Sequence, residues 1–213
     1  MMKEKYLEQI TVQLEKLGLG KNHQGGVRLV EYLFLLEKWN KVYNLTSIRD
    51  LDEMFTKHIL DSLVVAPLVS KTKRMIDVGT GGGLPGVVLA ILFPEMQVGL
   101  LDSNSKKTRF LIQAKAELSL NNVQVLYERV EKYTPEIKYD GVISRAFTAL
   151  DDMLNLTKHL LTEDGSWWAM KSQKTQEELA AVPRFAKITN VFDLSVPNLN
   201  AQRTLIQFKR AKV

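Results

Sequence analysis

The sequence predicts an α/β fold in which a helical segment, residues 1–70, packs on a domain built around a mostly parallel seven-stranded sheet, residues 71–213. Three observations predict this fold. Apolar residues recur at helical spacing near the N-terminus, and further on short apolar strands alternate with helical patterns. The last two strands lie too close in sequence for a crossover helix, so we expect an antiparallel C-terminal hairpin.

The helical segment contains three predicted helices. The first has apolar residues at positions 7, 10, 14 and 17 and ends at Gly18, and the second spans about residues 27–37. Asp50 and Glu53 form a variant of the capping box with Asp in the cap role. We therefore expect a third helix from about residue 51 to 66, which ends at Pro67.

Five strands of the sheet domain alternate with helices. The strands are predicted over residues 75–78, 98–102, 123–127, 140–144 and 166–170, and the helices over residues 85–93, 105–118 and 150–161. This alternation is typical of a parallel sheet with helices on both faces. After Pro183 two further strands follow, over residues 185–194 and 204–208.

Composition excludes several classes of protein. Hydrophobic residues make up 45% and charged residues 25% of the 213 residues, as in an ordinary globular protein. The absence of cysteine excludes disulfides, cysteine-ligated zinc and a cysteine nucleophile, and with three histidines we expect no metal site. No apolar run approaches the roughly 18 residues of a membrane helix, and no signal peptide precedes the domain, so we expect a cytoplasmic protein without a membrane partner. The net charge of +5 permits a polyanionic partner without requiring one, and nothing requires more than a monomer.

A glycine-rich loop from Asp77 to Gly86 follows the first strand and opens the next helix. In an open parallel sheet, ligands bind beyond the carboxyl ends of the strands, where this loop lies. Gly81, Gly83 and Gly86 satisfy the dinucleotide pattern G-x-G-x-x-G. An acidic residue followed by alternate glycines, starting at Asp77 and Gly79, is instead the pattern of class I methyltransferases. A glycine turn that binds nothing is the third interpretation.

Three features favour the methyltransferase pattern. The tight turn starts at Gly79, directly after the strand, so a dinucleotide register would begin two residues late. Asp77 lies in an otherwise apolar strand, where a carboxylate needs partners such as loop N–H groups or a cationic ligand. Asp102 ends the second strand, from which a carboxylate can accept hydrogen bonds from both ribose hydroxyls, although this feature is shared with NAD enzymes.

Four segments of the chain, residues 36–46, 58–62, 77–86 and 143–147, resemble the RsmG (GidB) family of small-subunit ribosomal RNA guanine-N7 methyltransferases. The resemblance extends from about residue 25 to the end of the chain. The His-Ile-x-Asp-Ser and Ile-Ser-Arg-Ala motifs are more specific in combination than the glycine loop. The resemblance implies a Rossmann-like class I methyltransferase fold, S-adenosylmethionine as the cofactor, and a guanine N7 in the decoding-region loop of bacterial 16S ribosomal RNA as the target.

Cofactor contacts follow from the resemblance and from the loop. The resemblance implies contacts at Gly79, Leu84, Val130, Glu131 and Arg145. Asp102 would hold the ribose, as in class I methyltransferases generally. The loop itself adds Asp77, Thr80, Gly81 and Gly83.

Methylation at N7 requires no proton transfer by side chains of the protein. Methyl transfer from a sulfonium is a direct displacement that depends on alignment and the exclusion of water. Guanine N7 has a lone pair and no proton to lose, so no general base is needed. The chain has no cysteine for pyrimidine C5 methylation, and Ser144-Arg145-Ala146-Phe147 replaces the Asn/Asp-Pro-Pro-aromatic motif typical of exocyclic amine methyltransferases.

Arg145 is the candidate catalytic residue, acting by positioning rather than by acid–base chemistry. It would contact either the cofactor or the O6 edge of the target guanine. The alternative without a function in the reaction is a surface arginine paired with a carboxylate. Phe147 is a candidate for stacking on an extruded base, and a core aromatic is the alternative.

Further candidates for contact with RNA lie in the helical segment and at the fifth strand. His58, Asp61 and Ser62 share one helix face, which either faces the substrate or packs as a polar cluster on the sheet. Asn44 contacts substrate or serves as a cap or turn residue. Lys171, at the end of the fifth strand, faces phosphate or solvent.

Other functions remain open at this point. A methyltransferase with a protein or small-molecule substrate is the first alternative, and an NAD-dependent oxidoreductase that uses the G-x-G-x-x-G register is the second. An RNA-binding module without catalysis is the third.

Overall fold

The computed structural model describes residues 2–20, 22–145, 147, 149–172 and 176–211. Within these residues the strands form one sheet with the order β3-β2-β1-β4-β5-β7-β6. The strands are β1 (Arg74–Val78), β2 (Gln97–Asp102), β3 (Val123–Tyr127), β4 (Tyr139–Ser144), β5 (Leu161–Lys171), β6 (Ala186–Leu194) and β7 (Arg203–Arg210).

The pairing of the strands confirms the predicted fold class. Strands β1 to β5 pair in parallel, and β7 is antiparallel to both β5 and β6. The carboxyl ends of β1, β2, β3 and β4 therefore meet at one edge of the sheet, which is where ligands bind in open α/β folds.

Helices cover both faces of this sheet. They are α1 (Met2–Lys16), α2 (His23–Tyr43), α3 (Leu51–Met54), α4 (Asp61–Leu63), α5 (Ala66–Val69), α6 (Gly86–Leu92), α7 (Ser105–Glu117), α8 (Leu150–Thr157) and α9 (Gln176–Ala180). A π-helical segment, Phe55–Leu60, joins α3 to α4. The sequence pattern did not predict α9.

The predicted continuous helix over residues 51–66 is wrong. It begins as expected, because the Glu53 N–H donates to the Asp50 carboxylate at 2.8 Å. The backbone then widens to a π-helix, in which the Asp61 N–H reaches Thr56 O. Pro67 lies in the first turn of α5, where its missing N–H costs nothing, so it does not end a helix.

Two boundaries near β5 also differ from prediction. Helix α8 ends at Thr157 rather than at residue 161, and β5 begins at Leu161 rather than at residue 166. Residues 162–165 are polar and resemble a loop, but the parallel pairing of Leu161 with Tyr139 extends the strand through them.

Successive strand residues point into two hydrophobic clusters on opposite faces of the sheet, as Met75 and Ile76 show. The first cluster also contains buried residues of α1 and α2, including Tyr6, Ile10 and Leu33. The N-terminal helices therefore share a core with one face of the sheet. Division of the chain at residue 70 into a segment and a domain stays a prediction.

Within the described residues, none of the helices combines the length and the apolarity needed to cross a membrane.

Candidate active site

The glycine loop is tied to the neighbouring strand by backbone hydrogen bonds. The N–H groups of Gly79 and Thr80 donate to Leu101 O at 2.9 and 3.1 Å. Gly79, Gly81 and Gly83 have φ of 68°, 61° and 94°, which side chains of L-residues rarely tolerate. The loop therefore turns sharply off β1 and stays against the carboxyl end of β2.

Gly83 and Gly86 are also required by packing. A Cβ on Gly83 would lie 2.5 Å from Val87 Cγ2, and one on Gly86 would lie 2.3 Å from Leu100 Cδ2. By contrast, a Cβ on Gly81 would meet no atom closer than 3.9 Å. Two of the three glycines in the dinucleotide register are thus explained by close contact with side chains of the core.

Asp77 fixes the loop to the end of β1. Its Oδ2 accepts hydrogen bonds from Thr80 Oγ1 at 2.7 Å and from the Gly86 N–H at 2.8 Å. Its Oδ1 is buried and has no hydrogen-bond partner among the described residues. Burial raises the pKa of Asp77 to about 6, against the lowering effect of the Thr80 and Gly86 hydrogen bonds.

Asp102 connects the loop to α7. Its Oδ2 accepts from the Gly81 N–H at 2.9 Å, and its Oδ1 accepts from the Asn104 N–H at 2.8 Å. Lys107 Nζ lies 3.8 Å from Oδ2. The carboxylate is thereby held at the end of β2 in one orientation.

A cleft of about 680 Å³ opens at the carboxyl ends of β1, β2 and β3, and we call it the donor cleft. It brings together four residues predicted to contact cofactor, together with Phe147, which was predicted to contact RNA. The lining residues are Val78, Gly79, Leu101, Asp102, Ser103, Glu128, Arg129, Val130, Glu131, Phe147 and Leu156.

On the other side of the glycine loop, a second cleft of about 570 Å³ lies between the loop and the N-terminal helices, and we call it the loop cleft. Its lining residues are Leu36, Leu45, Thr46, His58, Gly79, Thr80, Gly81, Gly82, Leu84 and Arg145. The buried Tyr32 hydroxyl of α2 donates to Gly82 O and so holds the loop from this side. Burial raises the pKa of Tyr32, which keeps the hydroxyl protonated.

His58 is buried in the wall of the loop cleft and is neutral. Burial, aided by the positive charge of Arg145, lowers its pKa to about 4. Its Nδ1 lies 3.1 Å from Lys57 O and 3.5 Å from Arg145 Nη2, and the shorter contact, to an oxygen that can only accept, places the proton on this nitrogen. Its Nε2 then accepts from the Thr46 hydroxyl at 2.9 Å. Both ring nitrogens are thus engaged, which suits a structural role better than a proton-transfer role.

Asp61 holds two arginines from distant parts of the chain. Arg203 Nε donates to its Oδ1 at 2.8 Å, and Arg145 Nη1 donates to its Oδ2 at 3.3 Å. Arg145 Nη1 also donates to Lys57 O at 3.1 Å. The side chain of Asp61 is only 3% exposed, so its role as an ion-pair partner is fixed by burial.

These ion pairs line a third cleft of about 690 Å³, which we call the arginine cleft. Arg145 lies in the walls of both the loop cleft and the arginine cleft. The lining residues of the arginine cleft are Ile48, Lys57, Asp61, Arg145, Met170, Lys171, Ser172, Leu194, Arg203 and Thr204.

Three residues predicted to contact RNA have other surroundings. Ser62 is fully buried and lines none of the three clefts, so its contact with RNA stays a prediction. Asn44 caps the C-terminus of α2 with φ of 52°, and its Oδ1 accepts from Arg49 Nη2, so the cap interpretation describes it. Lys171 lines the arginine cleft, where its Nζ is 2.6 Å from Glu178 Oε1.

Sequence reasoning missed Tyr32, Thr46 and Arg203. Thr46 lies inside a segment that carries the family resemblance, so a signal for it existed. Tyr32 fits the apolar spacing of α2, so the sequence pattern gave no signal for its hydroxyl. Arg203 is 142 positions from Asp61, and no local pattern indicates their contact.

Among the residues that the structure describes, no group of three His, Asp or Glu side chains could hold a metal ion.

Comparison with known proteins identifies the family. Residues 27–206 match the family model GidB, described as rRNA small subunit methyltransferase G. The chain is 63% identical over 210 residues to Ribosomal RNA small subunit methyltransferase G of Hydrogenovibrio crunogenus, which covers 99% of this chain and 97% of that protein. It is 48% identical over 196 residues to the protein of the same name from Pseudomonas aeruginosa, which covers 92% of each.

Solved structures share the fold at low sequence identity. TrmN from Thermus thermophilus superposes with a TM-score of 0.58 and 13% identity, over 74% of this chain and 53% of that chain. TYW2 of M. jannaschii in complex with AdoMet superposes with a TM-score of 0.50 and 16% identity, over 65% of this chain and 69% of that chain. Family model and relatives together establish that the chain belongs to the GidB family, rRNA small subunit methyltransferase G.

Proposed function

We propose that the chain transfers a methyl group from S-adenosylmethionine to N7 of a guanine in the decoding-region loop of bacterial 16S ribosomal RNA. Family membership supports the reaction and the RNA substrate. The observation that carries the proposal is the position of Asp102, which ends β2, lines the donor cleft and accepts from the glycine-loop N–H of Gly81. This arrangement fits a nucleoside whose ribose lies against the carboxylate.

The donor cleft fits the adenosine part of the methyl donor. Each oxygen of Asp102 accepts one backbone N–H, and a carboxylate oxygen can accept a second hydrogen bond, so acceptors remain for both ribose hydroxyls. Val130 and Phe147 offer apolar surface for the adenine ring.

The predicted contact of Asp77 is with the amino-acid part of the donor, whose ammonium group would have to enter past the glycine loop, because Asp77 is fully buried and lines none of the three clefts. Its Oδ1 is a buried acceptor with no partner in the described part of the chain, and such an atom costs free energy unless a bound group donates to it. An ammonium group is a suitable donor. Gly79 and Leu84 contribute backbone at the same loop, and Arg145 contributes its guanidinium from the loop cleft.

When bound, S-adenosylmethionine supplies a methyl group on a sulfonium, which a guanine N7 can attack directly. Since N7 has no proton, the residues of the site need only align the base and exclude water. His58 is neutral and engaged at both ring nitrogens, which agrees with a reaction that uses no general base. Arg145 fits the positioning role, because it lies between the loop cleft and the arginine cleft.

A solved structure of the same fold, TYW2 of M. jannaschii, is in complex with AdoMet, which supports this fold as a scaffold for the donor.

We propose that the enzyme acts in the cytoplasm, where ribosomal RNA is found, as a monomer on free 16S RNA or on the small ribosomal subunit.

A methylation map tests the proposal. Small subunits and naked 16S RNA from cells that lack the gene are incubated with the pure protein and S-adenosylmethionine, and N7-methylguanine is located by chemical cleavage and primer extension. We expect one modified guanine in the decoding-region loop, absent before incubation. Asp102→Ala serves as the low-activity control. An N7-methylguanine already present at that position without the gene would overturn the proposed substrate, and tighter binding of NAD than of S-adenosylmethionine in calorimetry would overturn the proposed reaction.

A further inference from the structure

The arginine cleft is the most basic of the three clefts. Its described lining contains four basic side chains, Lys57, Arg145, Lys171 and Arg203, and one acidic side chain, Asp61. The donor cleft, in contrast, is lined by three acidic side chains and one arginine. A basic cleft beside a site that acts on RNA is a candidate for contact with the RNA backbone.

The two lysines of the arginine cleft are already paired. Lys57 Nζ lies 3.0 Å from Glu53 Oε1, and Lys171 Nζ lies 2.6 Å from Glu178 Oε1. Their positive charges are therefore largely compensated within the protein. The charge that the cleft offers to a ligand comes from its arginines.

Two arginines share one carboxylate at the floor of this cleft. Both oxygens of Asp61 are used, one by Arg145 and one by Arg203. Two guanidinium groups and one carboxylate leave one positive charge uncompensated in the ion pairs of the described residues. Arg203 uses Nε for Asp61 and Nη1 for Gln202 O, and no hydrogen bond of the described residues uses its Nη2. The side chain of Arg203 is 21% exposed and lies in the lining of the cleft.

A phosphodiester is the ligand that best suits this arrangement. The planar guanidinium fork matches the oxygen pair of a phosphate, and the charge-assisted bonds are strong. The other common nucleic-acid ligand of arginine is the N7 and O6 edge of guanine. Under the proposed function N7 must stay open to receive the methyl group, so that pairing is not available at the target base.

We propose that the arginine cleft binds a phosphodiester group of the substrate RNA through Arg203, and that Asp61 is a positioning residue that holds Arg203 and Arg145 in fixed orientations. This inference rests on the proposed function, because the RNA is its ligand. Arg145 also lines the loop cleft, whereas Arg203 lines only the arginine cleft among the three. A substitution at Arg203 therefore separates contact with RNA from contact with the methyl donor.

The first test compares Arg203→Met with Lys209→Met. Both remove one positive charge from β7, but Lys209 is exposed near the opposite end of the strand and lines none of the three clefts. Steady-state methylation of small subunits from gene-deleted cells gives KM for RNA, calorimetry gives Kd for S-adenosylmethionine, and filter binding at several salt concentrations gives the salt dependence of RNA affinity.

For Arg203→Met we expect KM for RNA to rise about tenfold, and the log–log salt slope of RNA binding to become shallower by about 0.7–0.9, as for one lost phosphate contact. Kd for the methyl donor should stay within about twofold, and Lys209→Met should match the wild type in all three measurements. Unchanged RNA binding in Arg203→Met would overturn the inference while leaving the proposed function intact. A weaker Kd for the donor with an unchanged KM for RNA would assign the cleft to the donor's carboxylate instead. Absence of methyl transfer by the wild type would overturn the proposed function itself.

The second test addresses Asp61 without removing either arginine. Asp61→Asn keeps the shape of the side chain and one oxygen acceptor. We expect KM for RNA to rise several-fold while the salt slope does not become shallower, because both guanidinium charges remain. A lower melting temperature with unchanged KM would show that Asp61 only stabilises the fold and would overturn its positioning role.

Discussion

The proposed donor side of the site, formed by the donor cleft and the glycine loop, and the proposed RNA side, formed by the arginine cleft, are assembled from different kinds of contact. On the donor side, the Gly81 N–H donates to Asp102, which is 21 positions away in sequence. On the RNA side, Asp61 and Arg203 form an ion pair across 142 positions. The donor side thus depends on backbone conformation within a short stretch of chain, whereas the RNA side depends on charged side chains that only the complete fold brings together.

This difference predicts that the donor side is sensitive to small changes of backbone and the RNA side to changes of charge. Substitutions that alter only the backbone or only the charge separate the two sensitivities.

Gly83→Ala should have the largest effect on the donor side. The residue has φ of 94°, and the new Cβ would lie 2.5 Å from Val87 Cγ2 and 2.8 Å from Leu111 Cδ2. Backbone strain and overpacking should together lower the free energy of unfolding by about 4 kcal/mol. Urea unfolding followed by circular dichroism measures this change.

Gly82→Ala is the matched control for that substitution. Its φ is not positive, and the nearest atom to a new Cβ is Leu36 Cδ1 at 3.1 Å, a flexible side-chain end. We expect a loss below about 1 kcal/mol. Equal losses for the two variants would contradict the conformational role of Gly83.

Two buried groups beside the glycine loop, His58 and Asp77, should respond to pH with opposite signs. The pKa of His58 is lowered to about 4, so the folded state binds fewer protons than the unfolded state, and the stability this group provides is lost as pH falls from about 6.5 to 4. The pKa of Asp77 is raised to about 6, so its contribution is present below about pH 3.8 and is lost as pH rises through 6.

Asp77→Asn and His58→Gln test these signs by urea unfolding between pH 4 and 7. The stability advantage of the wild type over His58→Gln should shrink by up to about 3 kcal/mol on going from pH 7 to 4. The advantage over Asp77→Asn should grow over the same interval, by a similar amount. Parallel pH profiles for the wild type and either variant would contradict the buried titration assigned to that residue.

Asp102→Ala should weaken the binding of S-adenosylmethionine by about 2 kcal/mol, through lost hydrogen bonds to a charged acceptor. Asp140→Ala is the control, because Asp140 also accepts two backbone N–H groups, from Lys73 and Arg74, at the other end of the sheet. Isothermal titration should show donor affinity near that of the wild type for Asp140→Ala. Unchanged affinity in Asp102→Ala would remove Asp102 from the donor site.

Lys107→Met should have the smallest effect. Lys107 Nζ lies 3.8 Å from Asp102 Oδ2 and its side chain is 33% exposed, so solvent screens the interaction. We expect donor affinity to change by about 0.5 kcal/mol or less. A loss as large as that of Asp102→Ala would show that the lysine itself contacts the donor.

The same difference explains what the sequence could predict. Strand β3 has the predicted bounds, and each of the seven strands overlaps a run that the sequence pattern indicated. The parallel strands β1, β2 and β4 are almost fully buried, and such burial on both faces of a sheet is encoded in a local apolar run. The capping of α3 by Asp50 could likewise be predicted from two residues, Asp50 and Glu53. The glycine loop and Asp102 could be assigned to one site because both follow directly from strand ends.

Features that depend on remote contacts could not be predicted. The π-helical segment, Phe55–Leu60, has the apolar pattern of an α-helix, and nothing in its sequence indicates the wider form. Ser62 shares a helix face with Asp61 in sequence, yet it is fully buried while Asp61 lines a cleft. Phe147 lines the donor cleft rather than the arginine cleft, together with Val78 of β1 and Leu101 of β2, and no local pattern indicates this neighbourhood.

Measuring the affinity of Asp102→Ala and of Arg203→Met for both ligands tests most directly whether the two sides are separate. Each variant is measured for Kd of S-adenosylmethionine and for KM of small subunits purified from gene-deleted cells. We expect Asp102→Ala to weaken donor binding with KM for RNA unchanged, and Arg203→Met to raise KM for RNA with donor binding unchanged. Separate binding residues for the two ligands would be contradicted if either variant weakened the binding of both ligands to the same degree. They would also be contradicted if Asp102→Ala affected only RNA and Arg203→Met affected only the donor.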